Sequence, residues 1–118
     1  MWEYLAGIFD ARGFIKVNIT KDKKGRTEFN VYFNFTDNDK NVYNKICNFL
    51  NEQGIKSSIY FIRRKKGWLN EYHFCITNRR DTIKFLERIY PYSLKKDLLD
   101  WAFEKYSILK AQGRKRHY

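Results

Sequence analysis

The chain has 118 residues, a formal net charge of +11 and a pI near 9.7, which gives room for one compact domain with a core but not for two. Its hydrophobic content of 43%, with ten Phe, nine Tyr and three Trp, excludes a disordered tail protein, and no apolar run approaches a membrane span or a signal-peptide core. The charge favours a polyanion, nucleic acid first and an anionic membrane surface second.

Trp2, Leu5 and Phe9 recur at helical spacing, and Gly13 ends that helix. Ile15, Val17 and Ile19 then alternate with Lys16, Asn18 and Thr20, the pattern of a half-buried strand. The basic stretch Lys21, Asp22, Lys23, Lys24, Gly25, Arg26 reads as a hairpin turn. Beyond it Phe29, Val31, Phe33 and Phe35 alternate with Glu28, Asn30, Tyr32 and Asn34 in a second strand. Val42, Ile46, Phe49 and Leu50 carry a helical stripe, opened by Asn38 or Asp39 as cap and closed by Gly54.

A second hairpin follows, from about Ser57 to Arg64, through a Lys65-Lys66-Gly67 turn, and back from Trp68 to Thr77. In its return strand Tyr72, Phe74 and Ile76 alternate with Glu71, His73 and Cys75. Asp81 is placed to cap a helix bearing Ile83, Leu86 and Ile89. A last helix runs from Ser93 through Leu98, Ala102 and Tyr106, and residues 110–118 form a basic tail with Arg114, Lys115, Arg116 and His117. Cys47 and Cys75 sit inside apolar patterns and read as buried free thiols. Zinc would need more Cys and His in tight spacing.

The order is α-β-β-α-β-β-α-α, an α+β single domain spanning 1–118. Phe33-Asn34-Phe35-Thr36-Asp37 and Phe74-Cys75-Ile76-Thr77-Asn78 end matching strands before matching helices. Two such ββα units are expected to pair as one four-stranded antiparallel sheet with helices on one face. The other face then carries Lys, Asn, Thr, Tyr and His. Pattern alone leaves that face as either solvated or binding, and the charge tilts it toward binding.

Tyr4-Leu5-Ala6-Gly7-Ile8-Phe9-Asp10-Ala11-Arg12-Gly13-Phe14-Ile15 resembles the signature helix of LAGLIDADG homing endonucleases. Leu5, Ala6, Gly7, Asp10, Ala11 and Gly13 match, with Ile8 and Phe9 as apolar equivalents. Tyr90-Pro91-Tyr92-Ser93-Leu94-Lys95-Lys96-Asp97 is similar to the family's proline-aromatic-lysine segment. The resemblance spans essentially the whole chain. It implies that two copies pair through the first helix, by Leu5, Ala6, Gly7 and Phe9, and join their sheets into a saddle over double-stranded DNA. Small Ala6 and Gly7 would allow close helix approach, unless they simply pack on the chain's own core. A two-fold dimer expects a near-palindromic target.

On this reading the base-facing residues are Lys16, Asn18 and Thr20, then Glu28, Asn30, Tyr32 and Asn34, with Glu71 and His73 from the return strand of the second hairpin. Lys and Asn suit guanine and adenine edges. Lys21, Lys23, Lys24, Arg26, Arg63, Arg64, Lys65 and Lys66 are expected as phosphate clamps, which add affinity without sequence information, or else as solvated charges.

The resemblance breaks at Arg12. There the family carries the acid that, one from each subunit, holds divalent metal between the scissile phosphates. A guanidinium cannot ligate Mg²⁺. Asp10, the other acid, is implied to be structural, with a metal-binding role requiring a shifted helix. Asp37 is either a helix cap or a carboxylate reaching metal from the other side. Lys95 matches the family's lysine at the reaction centre, or is a solvated first-turn residue. Two classes follow: a Mg²⁺-dependent endonuclease with an impaired site, or a silent binder, which includes a regulator or an intron maturase that binds RNA. The weight of Arg12 favours DNA binding with cleavage weak or lost. The expected location is cytoplasmic, or organellar if intron-encoded.

Overall fold

A computed structural model describes residues 1–20, 27–36, 40–62 and 71–115. The elements follow the expected order: α1 (Trp2–Arg12), β1 (Gly13–Asn18), β2 (Glu28–Thr36), α2 (Lys40–Glu52), β3 (Ser58–Ile62), β4 (Glu71–Ile76), α3 (Arg79–Ile89), a 3-10 turn (Tyr90–Tyr92) and α4 (Lys96–Lys115). All strand pairings are antiparallel, in the order β1-β2-β4-β3. The two ββα units therefore meet along their second strands. Phe33 pairs directly with Phe74, so the residues that echo each other in sequence face each other across the middle of the sheet.

Alternation sorts β2 cleanly. Phe29, Val31, Phe33 and Phe35 share one face, and all four are buried. Each helix reaches that face. Phe33 packs on Phe9 of α1 at 6.2 Å and on Phe85 of α3 at 5.8 Å. Phe35 meets Tyr43 of α2 at 5.9 Å, and Phe29 meets Tyr106 of α4 at 5.6 Å. The core therefore lies between one sheet face and four helices, with Leu99, Ala102 and Leu109 supplied by α4. Burial of this aromatic set is the main driving force for the fold; truncating one such ring to Ala typically costs about 3–5 kcal/mol.

Gly13 turns α1 straight into β1. Its φ of −85° is ordinary for any residue, and its N–H bonds to Phe9 O. The requirement is steric: a Cβ there would stand 2.5 Å from Phe9 Cδ2 and 3.0 Å from the Phe9 backbone. Gly54, with φ +75°, is the left-handed terminator of α2.

Three boundaries differ from the sequence reading. Asn78, not Asp81, caps α3, its Oδ1 accepting from Arg80 N at 2.9 Å and Asp81 N at 3.4 Å. Asp81 instead accepts from Lys56 N at 3.0 Å, joining α3 to the lead-in of β3. The last helix starts at Lys96 and persists to Lys115, so most of the segment read as a basic tail is helical. The caps Asn38 and Asp39 lie outside the described residues. Cys75 is buried, which pushes its thiol pKa up, and Cys47 is half-buried; both are free. Among the described residues no helix is long and apolar enough to cross a membrane.

Candidate nucleic-acid interface

The outer sheet face is built from the residues that alternate with the core positions. Across the strands, Lys16 lies opposite Asn30, Phe14 opposite Tyr32, and Asn34 opposite His73, which in turn faces Tyr60 of β3. Lys16, Tyr32, Asn34, Glu71 and His73 occupy this face as expected.

Several of them are already engaged. Lys16 Nζ lies 3.3 Å from Glu28 Oε2, and His73 Nε2 lies 3.3 Å from Glu71 Oε1. Asn18 Oδ1 accepts from Thr20 N at 3.1 Å and Thr20 Oγ1 at 2.8 Å. Asn18, the last residue of β1, and Thr20 just beyond it are thus joined in a turn motif. Asn30 is a correction to the sequence reading, being only 9% exposed. In the amide orientation that satisfies both ends, its Nδ2 donates to Thr77 O and Phe29 O, each at 2.9 Å, and its Oδ1 accepts from the Tyr32 hydroxyl at 3.2 Å. Asn30 is a buried strand-to-strand tie. Asn34 is an exposed amide on this face. The turn residues Lys21, Lys23, Lys24, Arg26, Arg63, Arg64, Lys65 and Lys66, and Asp37, lie outside the described residues.

The signature helix is apolar on two sides. Leu5, Ala6 and Phe9 point inward and are fully buried in the chain's own core, which removes them as dimer-contact residues. The outward stripe is Tyr4, Gly7, Ile8 and Ala11, at the i, i+3, i+4, i+7 spacing of one helix face. With Arg12, Phe35 and Val42 these residues line an open depression of about 320 Å³. Tyr4 is 51% exposed, and a Cβ added to Gly7 would meet nothing within 4 Å. By contrast, α2 and α3 segregate apolar from polar residues.

At the helix end Asp10 and Arg12 diverge. Asp10 Oδ1 accepts from Ser93 Oγ at 2.5 Å, and Oδ2 accepts from Leu94 N at 2.8 Å. Ser93 is 1% exposed, and its Oγ also accepts from Lys95 N at 3.0 Å. Asp10 is thus a latch holding the segment before α4 and carrying half-buried Lys95 beside α1. Arg12 is exposed at the rim of the depression, its guanidinium 5.8 Å from the Phe35 ring centroid, within cation–π range.

Among the described residues, the donors at the end of α1 do not make a Mg²⁺ site. Both Asp10 oxygens accept hydrogen bonds, and Arg12 brings a cation to the last position of the same helix. Among the described residues no group of three His, Cys, Asp or Glu is placed to hold a metal. Ser93, Phe14 and Tyr4 escaped the sequence reading. Phe14 was visible in principle, having the same parity as Lys16. Ser93 carried no signal beyond its place in the proline-aromatic-lysine segment.

A sheet with four helices on one face and an apolar-sided helix entering its first strand defines a LAGLIDADG-type scaffold. The family model for LAGLIDADG-like domains matches residues 1–90, and the chain belongs to that family. Among solved structures, the homing endonuclease I-CvuI in complex with its target in the presence of Ca superposes with a TM-score of 0.68 at 19% identity, covering 92% of this chain and 65% of that one. The LAGLIDADG meganuclease I-CpaMI bound to uncleaved DNA gives 0.71 at 16% identity, covering 99% and 39%. The homing endonuclease I-TnaI gives 0.68 at 16%, covering 99% and 76%. The likeness shows a shared fold, and this chain spans less than two thirds of the length of the first two. No curated protein sequence matches.

Proposed function

We propose that this chain binds double-stranded DNA as a homodimer at a long near-palindromic site, with cleavage weak or lost. The observation that carries this reading is the second apolar side of α1, the Tyr4-Gly7-Ile8-Ala11 stripe, which ends at Arg12. A helix apolar on both sides is stable in water when both sides are covered. The chain covers one of them. A second copy, related by a two-fold axis, covers the other with the same stripe, and Gly7 lets the backbones approach. The solved relatives bound to DNA support the polyanion, as does the charge of +11.

In such a dimer the two Arg12 side chains converge where the family holds metal. Guanidinium forks match phosphate oxygens and carry their charge without an ion. They hold the backbone but generate no nucleophilic hydroxide. One observation favours a second reading, an active Mg²⁺-dependent endonuclease: the latch keeps Lys95 beside the end of α1. That reading assigns metal binding to Asp37, since Asp10 is committed.

A randomised duplex library, selected with and without Mg²⁺, tests this. The unmodified protein should select a near-palindrome equally well in both conditions and leave it uncut. Arg12→Asp removes two cations per dimer and should weaken metal-free binding, while making binding and nicking respond to Mg²⁺. Robust Mg²⁺-dependent cleavage by the unmodified protein, unchanged in Arg12→Asp, would overturn the proposal.

A further inference from the structure

Phe14 is the second residue of β1, on the outer face of the sheet with Lys16. It is 41% exposed. Its ring stacks on Tyr32 with centroids 5.2 Å apart and planes within 16°. The polar groups around it face one another: Lys16 pairs with Glu28, Asn18 with Thr20, and Asn30 with the Tyr32 hydroxyl. Beside these paired polar groups the outer face thus presents a preordered apolar element. The Tyr32 hydroxyl is tied to Asn30 and its ring to Phe14, so little side-chain freedom is lost when a ligand arrives.

Each ring of the pair covers one face of the other, which leaves edges and a single outer face for a partner. That geometry does not suit sandwiching a splayed-out base. It suits a small apolar group standing up from a groove floor. In the DNA major groove that group is the thymine 5-methyl, the apolar mark of the A·T pair. Position narrows the reading further. Gly13, bonded to Phe9 O, directly follows Arg12, so Phe14 is fixed at the root of β1 beside the C-terminal end of α1.

Resting on the dimer reading given above, we infer that the Phe14–Tyr32 pair reads a thymine methyl in the inner part of each half-site, with Phe14 making the contact and Tyr32 positioning it. Removing the methyl leaves Watson–Crick pairing intact. Desolvation of one methyl predicts a loss of roughly four-fold per half-site, or on the order of fifteen-fold for both.

The test takes the duplex selected by the unmodified protein and replaces each thymine by deoxyuridine, one symmetric pair at a time. One inner pair should weaken binding about fifteen-fold, and the others less than two-fold. Phe14→Ala, checked by its melting curve, should bind the thymine and deoxyuridine duplexes alike, and Phe14→Leu should keep part of the difference. Tight binding by the unmodified protein with no deoxyuridine effect would overturn the inference and leave DNA binding standing. Discrimination undiminished in a folded Phe14→Ala would place the methyl contact elsewhere. Failure to select any duplex would remove this inference together with the proposed function.

Discussion

Gly7→Leu separates the stability of the protomer from that of the dimer, because it pushes the two in opposite directions. Within one chain a Cβ at Gly7 meets nothing within 4 Å, and the residue sits mid-helix in α1 (Trp2–Arg12). Replacing a helix-interior glycine by a good helix former gains about 0.5–1 kcal/mol, roughly a 3 °C rise in Tm for a domain of this size. At a two-fold seam the same side chain is inserted twice into one contact. Overpacking costs about 1–3 kcal/mol per insertion, or about 2–6 kcal/mol for the pair. Dimerisation should then weaken from roughly 30-fold to more than 10,000-fold. Sedimentation over a concentration series gives the dissociation constant. Melting curves at a dilution where both proteins are monomeric give the protomer term, with concentration held fixed because assembly shifts Tm. A Gly7→Leu protein with raised stability and an unchanged dimer would show that the stripe is not the seam.

Gly13→Ala should destabilise the fold by about 2 kcal/mol through crowding against buried Phe9; chemical denaturation reads this, and a stability equal to the unmodified protein would show that the turn can relax. Asp10→Ala strands the buried Ser93 hydroxyl and should cost about 1.5–3 kcal/mol, with the Mg²⁺ response of DNA binding unaltered. Unchanged stability with an altered Mg²⁺ response would make Asp10 a metal ligand rather than a latch.

Periodicity carried the fold. The core faces of β2 and β4 and the α-β-β-α-β-β-α-α order were legible because a strand half-buried under helices must alternate, as Phe29, Val31, Phe33 and Phe35 do. Which neighbour covers which side was not legible. Ala6 and Gly7 are adjacent small residues, yet a step of about 100° between them puts one in the core and the other on the open face. Asn30 shares the parity of the exposed positions, but a long-range bond to Thr77 O buries it. Asp81 has the chemistry of a cap, but its carboxylate accepts from Lys56 N and Asn78 caps α3 instead. At the site, Arg12 was readable as a departure from a known pattern. The commitment of Asp10 depended on Ser93, which lies 83 residues away.

That latch also determines how the chain can be cut. The family match ends at residue 90, which would suggest a boundary there for a minimal fragment. A fragment so trimmed keeps the whole sheet and the whole signature helix, yet it leaves Asp10 facing solvent without Ser93 and Leu94. It also strips Leu99, Ala102 and Leu109 from the hydrophobic interior. The smallest piece able to fold on its own therefore reaches well into α4. Expression designs, fusions of two copies into a single chain and circular permutants should all keep that helix in register with the first.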